Sequence, residues 1–244
     1  MDTGTGRVPL NACASVLVQC QMTGVLTDQF ALPIYIDLTA TFLYGLTGAL
    51  IAIHRRYDII GVFVLALVTG VGGALIRDGV FIQSGPPLVM IDPRYLLVIV
   101  GGCLVAALFR NLMDRLQKGF FLWADALGLG AYAVVGVTRS LNAGLSVVAA
   151  IMVGVVNAVG GGLLRDILVR EEPLLFKPGQ LYVLAALLAA ALFTLLVIRR
   201  GMPIEHAAWL AIGSSFVFRT LAIIFNWKTI AVADSSVSIP GRRR

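Results

Sequence analysis

Residues Gly70 to Asp78 read GVGGALIRD, and residues Ala158 to Asp166 read AVGGGLLRD, the same pattern displaced by 88 positions. The same displacement carries Asp37 onto Asp125, Gly48 onto Gly136 and Thr69 onto Asn157, and a displacement of 87 carries Pro86 onto Pro173 and Tyr95 onto Tyr182. Two unrelated apolar stretches share composition. They do not share an Arg-Asp pair, a glycine cluster and an upstream aspartate in one register. The chain therefore contains a duplication, and its period decides how the rest is read.

The duplicated stretches lie in an unusually apolar chain. Its 244 residues are 59% hydrophobic and 13% charged, with a mean hydropathy of +0.92, whereas an ordinary soluble domain carries about 25% charged residues. That balance excludes a soluble globule, and it excludes disorder, which needs low hydrophobicity with high net charge. A hydrocarbon core of about 30 Å takes about 20 residues of helix. Seven stretches qualify: Ile34 to Ile53, Ile59 to Arg77, Tyr95 to Phe109, Leu122 to Val137, Gly144 to Leu164, Leu181 to Ile198 and Ile204 to Trp227. They are continuously apolar rather than alternating, which indicates helices and not a barrel.

Each copy holds three spans, and an odd number forces the second copy to enter the membrane from the opposite face. The expected fold is an all-α membrane protein of seven transmembrane helices, an inverted 3+3 repeat plus a seventh helix outside the duplication. Such an architecture places a pseudo-two-fold axis in the membrane plane, with a permeation or substrate site near the midplane. The chain divides into an external segment at 1–33, the first repeat at 34–114, the inverted repeat at 119–200, the seventh helix at 203–228 and a basic tail at 229–244.

Charge sets the orientation. Of the 19 Lys and Arg, twelve fall in the loops after spans one, three and five and in the C-terminal tail, and six fall on the other side. The richer side is the cytoplasm, so the N-terminus is expected outside and the C-terminus inside. The net charge of +6 thus reflects membrane topology, and no nucleic-acid partner is expected. Cys13, Cys20 and Cys103 form no CxxC pair, which indicates neither a disulfide framework nor a zinc site. The first 29 residues do not resemble a cleaved signal peptide.

Glycine in a helix interior costs about 1 kcal/mol relative to alanine, so Gly70, Gly72 and Gly73, matched by Gly160, Gly161 and Gly162, require a reason. Two readings stand. Small residues let helices pack closely in lipid, or a broken helix turns freed carbonyls toward a water-lined cavity. The helical period puts Thr69, Gly73 and Arg77 on one stripe and Asn157, Gly161 and Arg165 on another. Asp37 opens span one and Asp125 opens span four, each level with the arginine of its own repeat. We expect two ion pairs or near-pairs, Asp37 with Arg77 and Asp125 with Arg165, flanking a neutral Thr and Asn centre. Ionisable residues at such depths are functional candidates by default. Asp78 and Asp166 read either as part of these clusters or as interfacial carboxylates. Arg219 in span seven either snorkels to the headgroups or faces the interior beside Ser215.

These residues carry a family resemblance. The doubled G-G-x-x-x-R-D segments, the aspartate opening each copy and the DPRYLL run from Asp92 to Leu97 resemble the prokaryotic trimeric intracellular cation channels, a domain also labelled a glycine-transporter family. The likeness spans about Tyr35 to Trp227. It implies seven spans with an external N-terminus, a homotrimer in the inner membrane with one pore per protomer passing K⁺ and Na⁺, and kinks at the glycine clusters of spans two and five. Ala74 departs from the triple glycine of the second copy.

No HExxH, Walker or nucleophile-elbow pattern is present, so an enzyme is not expected. The leading reading is a monovalent cation channel with no cofactor and no tightly bound metal. K⁺ or Na⁺ would be the permeant, partly dehydrated by backbone carbonyls and by Thr69 and Asn157. Membrane lipids are the expected surroundings. The alternative is a secondary carrier for glycine or another small amino acid, since inverted repeats serve carriers equally well.

Overall fold

The computed structural model describes residues 32–108, 110–176, 181–225 and 227, and the side chains of all of these except 110–118 and 120. The segments expected at the two ends of the chain, apart from Leu32 and Pro33, lie outside the described residues.

The described chain is helical: α1 (Ile34–His54), α2 (Ile59–Ile76), α3 (Leu88–Ile91), α4 (Pro93–Leu108), α5 (Arg110–Asn142), α6 (Val147–Leu168), α7 (Tyr182–Thr194) and α8 (Ile204–Ile224). Two helices lengthen into π-helical turns, α2 through Arg77–Ile82 and α7 through Leu195–Arg199. Six helices are long and apolar enough to cross a membrane, and α4 is a shorter apolar helix whose 16 residues span about 24 Å. With the one-turn α3 set aside, seven helices correspond to the seven expected spans. Residues 115–118, left between the two copies in the sequence reading, lie within the single long helix α5.

The duplication is visible in the backbone down to its turns. Between α1 and α2 the amide of Arg56 donates to Ile53 and that of Tyr57 to Ala52, and 88 positions later Gly144 donates to Leu141 and Leu145 to Ser140. Asp58 caps α2 by accepting from the Gly61 amide at 2.8 Å, and Ser146 takes the same position on α6, with a longer contact of 3.4 Å to Ala149. Both are residue types favoured at that position.

The helices of one copy pack as their counterparts do, α1 with α2 and α4, α5 with α6 and α7. The copies meet through α1 against α5 and α2 against α6, and α8 lies on α5 and α7. The beginning of α1 at Asp37 shares a cavity with the end of α5 at Arg139 and Asn142, so these equivalent helices run antiparallel, as inversion requires. Much of the core is small: Ala40, Ala133 and Ala158 on the helices that join the copies, and Ala185, Ala186, Ala189 and Ala211 on α7 and α8, are fully buried, as close helix approach in lipid demands.

Candidate functional site at the glycine crossing

The two glycine clusters face each other where α2 crosses α6. A Cβ added at Gly73 would overlap the carbonyl of Asn157, and one at Gly161 would overlap the carbonyl of Thr69. A Cβ at Gly160 would lie 3.0 Å from the Gly73 Cα. Because Thr69 is the counterpart of Asn157 and Gly73 of Gly161, these contacts are related by the pseudo-two-fold axis. Gly70, also buried, packs against Thr41 and Ile99, Gly72 against Leu164, and Gly162 against the Tyr182 hydroxyl.

Of the two readings of the glycines, close packing accounts for these contacts. α2 remains α-helical through Gly70–Gly73 and α6 through Gly160–Gly162. The glycines are there because opposing main chains touch, which no side chain would permit. The departure from α-helical geometry in span two comes later, in the π-helical turn that begins at Arg77. π-Turns of this kind recur at functional positions.

Two tyrosines close the crossing. The Tyr44 hydroxyl donates to the Ala158 carbonyl at 2.7 Å, and the Tyr132 hydroxyl donates to the Gly70 carbonyl. Tyr132 stands 88 residues after Tyr44, and Ala158 stands 88 after Gly70. Each copy therefore sends a tyrosine to the same carbonyl on the glycine helix of the other copy. The rings meet edge to face with centroids 5.1 Å apart. Thr41 bonds the Tyr132 hydroxyl at 2.8 Å and Tyr182 bonds that of Tyr44 at 3.1 Å. Sequence reasoning passed over Tyr44 and Tyr132, although the period of 88 that exposed the glycines also relates them.

Thr69 and Asn157 are fully buried and bonded within the protein. Thr69 donates to Leu65 at 2.6 Å, and the Asn157 amide donates to the Tyr132 carbonyl at 2.7 Å. Neither side chain lines the cavities described below.

The charged residues bracket that centre. Arg165 lies 3.4 Å from Asp125 and 2.9 Å from Asp166, and it also reaches the Thr47 hydroxyl at 3.3 Å. The expected pair in the second copy is thus present. The first copy differs. Arg77 takes Asp78 with two bonds of 2.6 and 2.9 Å and reaches Asn157 at 3.5 Å, while Asp37 accepts from the Tyr95 hydroxyl at 2.6 Å. Asp37 and Arg77 are therefore a near-pair, within electrostatic reach of each other while each is hydrogen-bonded to another partner. Asp78 and Asp166 are accordingly arginine partners, with Asp166 buried. One oxygen of Asp37 and one of Asp125 accept no hydrogen bond among the described residues. Arg219 is buried, its guanidinium 5.0 Å from the centre of the Tyr182 ring, a cation–π distance. Its expected neighbour Ser215 instead donates to the Ala185 carbonyl at 2.9 Å.

On the Arg77 side two cavities approach the crossing. One of about 130 Å³ includes Asp37, Thr138, Arg139 and Asn142, and another of about 260 Å³ includes Arg77, Asp78, Ser84, Arg139 and Asn142. Either is large enough for several waters. Arg139, counted in the sequence only as a topological charge, faces both. Among the described residues no cluster of three or more His, Cys, Asp or Glu could hold a metal ion.

Comparison with known proteins follows the same lines. The model of the family described as Glycine transporter matches residues 34–111 and 122–197, which are the two copies in turn. The inner membrane protein YadS of Escherichia coli, placed in the group UPF0126, is 30% identical over 194 residues, covering 80% of this chain and 93% of the relative. The crystal structure of the TRIC trimeric intracellular cation channel orthologue from Rhodobacter sphaeroides superposes with a TM-score of 0.73 at 36% identity, over 79% of this chain and 97% of that one. A second TRIC structure, solved to explain conductance through TRIC cation channels, gives 0.72 at 26% identity over 82% and 97%.

Proposed function

We infer, for a chain that belongs to the trimeric intracellular cation channel family, that it is a monovalent cation channel whose conduit follows the α2–α6 crossing within each protomer, here in a closed conformation. The observation that carries this reading is the buried polar series along the pseudo-two-fold junction. Asp37 and Arg77, then Asn157 and Thr69, then Arg165 and Asp125 are all buried in a core otherwise built mainly of alanine, glycine and larger apolar side chains. A polar series of that kind is costly in a membrane protein unless it serves a pathway.

Opening requires the crossing to part. The two tyrosine hydroxyls release the carbonyls of Gly70 and Ala158, and those carbonyls, with the side-chain oxygens of Thr69 and Asn157, replace part of the hydration shell of K⁺ or Na⁺. Ligands of this loose kind discriminate weakly between the two ions. Asp37 and Asp125 bias the two mouths toward cations, and Arg77 and Arg165 balance or gate them. Each tyrosine bond contributes about 1 kcal/mol net. A charge crossing the full field gains about 2.3 kcal/mol per 100 mV, so partial movement of one buried guanidinium is on the scale needed to shift this equilibrium.

The remaining assignments follow from the same reading. The protein lies in the inner membrane as a homotrimer, with its N-terminus outside, its C-terminus inside and the Arg77 cavities at the outer mouth. It has no cofactor, no nucleic-acid partner and no catalytic activity, since its solved relatives are channels. Purified protein in planar bilayers with K⁺ on one side and Na⁺ on the other tests the function. Unitary cation-selective steps are expected. Saturable uptake of labelled glycine with no steps would assign the chain to the carrier class instead.

A further inference from the structure

A cavity of about 830 Å³ opens on the side of the helix bundle, away from the crossing. Pockets that enclose apolar ligands span about 300–1,000 Å³. Its floor is hydrocarbon, drawn from the start of α2 at Ile59, Ile60 and Phe63 and from α4 between Val100 and Ala107, a length of about 10 Å. Ile59, Ile60 and Leu104 are 85%, 67% and 59% exposed, so these apolar side chains are not satisfied by packing within the chain.

The mouth is different. Arg56 and Tyr57 close it, on the face that also carries Arg55 and Glu171. Both carboxylates nearby are engaged elsewhere. Glu171 bonds Arg55, and Asp58 caps the amide of Gly61. Among the described residues no carboxylate lies within ion-pair distance of Arg56, which is exposed. Its backbone is left-handed, with φ of 59°, where the equivalent turn of the second copy uses Gly144 with φ of 83°. Left-handed backbone is ordinarily glycine's place, so the first copy keeps a guanidinium where the turn itself favours no side chain.

An apolar trough ending at an uncommitted guanidinium and a phenol is complementary to an amphipathic anion. We propose that this groove binds an anionic phospholipid, one acyl chain lying between α2 and α4 and the phosphate held at Arg56 beside Tyr57. The site is independent of the conduit, and anionic lipid supplies the charge that Arg56 lacks within the chain.

Native mass spectrometry of the full-length protein released from membranes of equal phosphatidylglycerol and phosphatidylcholine tests this. Wild-type protein is expected to retain phosphatidylglycerol about fivefold in preference, the bias one interfacial arginine supplies. Arg56→Gln should bring that preference close to parity without lowering the number of lipids retained. Leu104→Trp, at the apolar end, should lower retention of both lipids, and Arg200→Gln on the opposite face should change nothing. A preference that survives Arg56→Gln, or a lipid count unaltered by Leu104→Trp, overturns the proposal. So does a Leu104→Trp variant with wild-type lipid but a changed subunit number, which would make the groove an interface between copies. The two variants act at opposite ends, so misfolding of either leaves the other decisive. No current is measured, so failure here leaves the channel reading intact.

Discussion

Tyr44 and Tyr132 hold the two copies of the repeat together by a reciprocal exchange. Each donates its hydroxyl to the carbonyl of the equivalent residue on the other copy's glycine helix, Ala158 for Tyr44 and Gly70 for Tyr132, and their rings lie edge to face between the bonds. Because the exchange is symmetric, a movement that parts the crossing along the pseudo-two-fold axis would break both bonds.

Removing these hydroxyls should favour the open state. Tyr44→Phe and Tyr132→Phe each lose one hydrogen bond worth about 1 kcal/mol, and open probability in single-channel records should rise about fivefold for each. Because the bonds share one movement, the double variant should rise more than either single variant. Unchanged open probability in all three would detach the tyrosines from gating.

The glycines of the crossing should tolerate no Cβ. Gly73→Ala or Gly161→Ala forces a methyl group into the opposing carbonyl, an overpacking change that costs about 1–3 kcal/mol and should lower the thermal midpoint. Gly213→Ala serves as the contrast. Nothing lies within 4 Å of a Cβ there, and alanine gains about 0.5–1 kcal/mol in a helix, so its midpoint should hold or rise. Equal effects at Gly213 and Gly161 would mean that close backbone approach is not what the crossing requires.

The arginines should differ in weight. Among the described residues Arg165 meets Asp125 and Asp166 within ion-pair distance, whereas Arg77 meets Asp78. Breaking a buried pair from one side costs about 3–5 kcal/mol. Arg165→Gln should therefore destabilise the protein more than Arg77→Gln in thermal unfolding, and Arg165→Gln combined with Asp166→Asn should recover part of the loss. Both single variants should alter conductance or gating while still assembling. Equal destabilisation by the two would contradict the asymmetry of the pairs.

How far the residues announced this arrangement varies from place to place. The period of 88 positions contained the fold, the antiparallel junction and even the matching helix caps at Asp58 and Ser146, because local rules and global inversion act on the same pattern. The pair Asp125–Arg165 was legible from its spacing. In its counterpart the spacing could not tell an ion pair from a near-pair, because Asp78 and Tyr95 supply the direct partners of Arg77 and Asp37. The residues Gly70–Gly73 left close packing and helix breaking as alternatives. A glycine cluster looks the same in sequence whether it bends its own helix or admits another, and only the facing carbonyls of Asn157 and Thr69 distinguish the two. Tyr44 and Tyr132 were hidden among apolar neighbours, because a buried aromatic reads as core until its hydroxyl is seen to reach a carbonyl.

The most direct test of a conduit through the crossing is thiol modification of Thr69→Cys during single-channel recording, with Cys13, Cys20 and Cys103 replaced. Thr69 bonds only the Leu65 carbonyl of its own helix, so the change is mild. The conduit reading predicts that a small cationic thiol reagent blocks K⁺ current, and does so faster under conditions that raise open probability. Current of full amplitude after complete modification of Cys at position 69 would show that ions do not pass there.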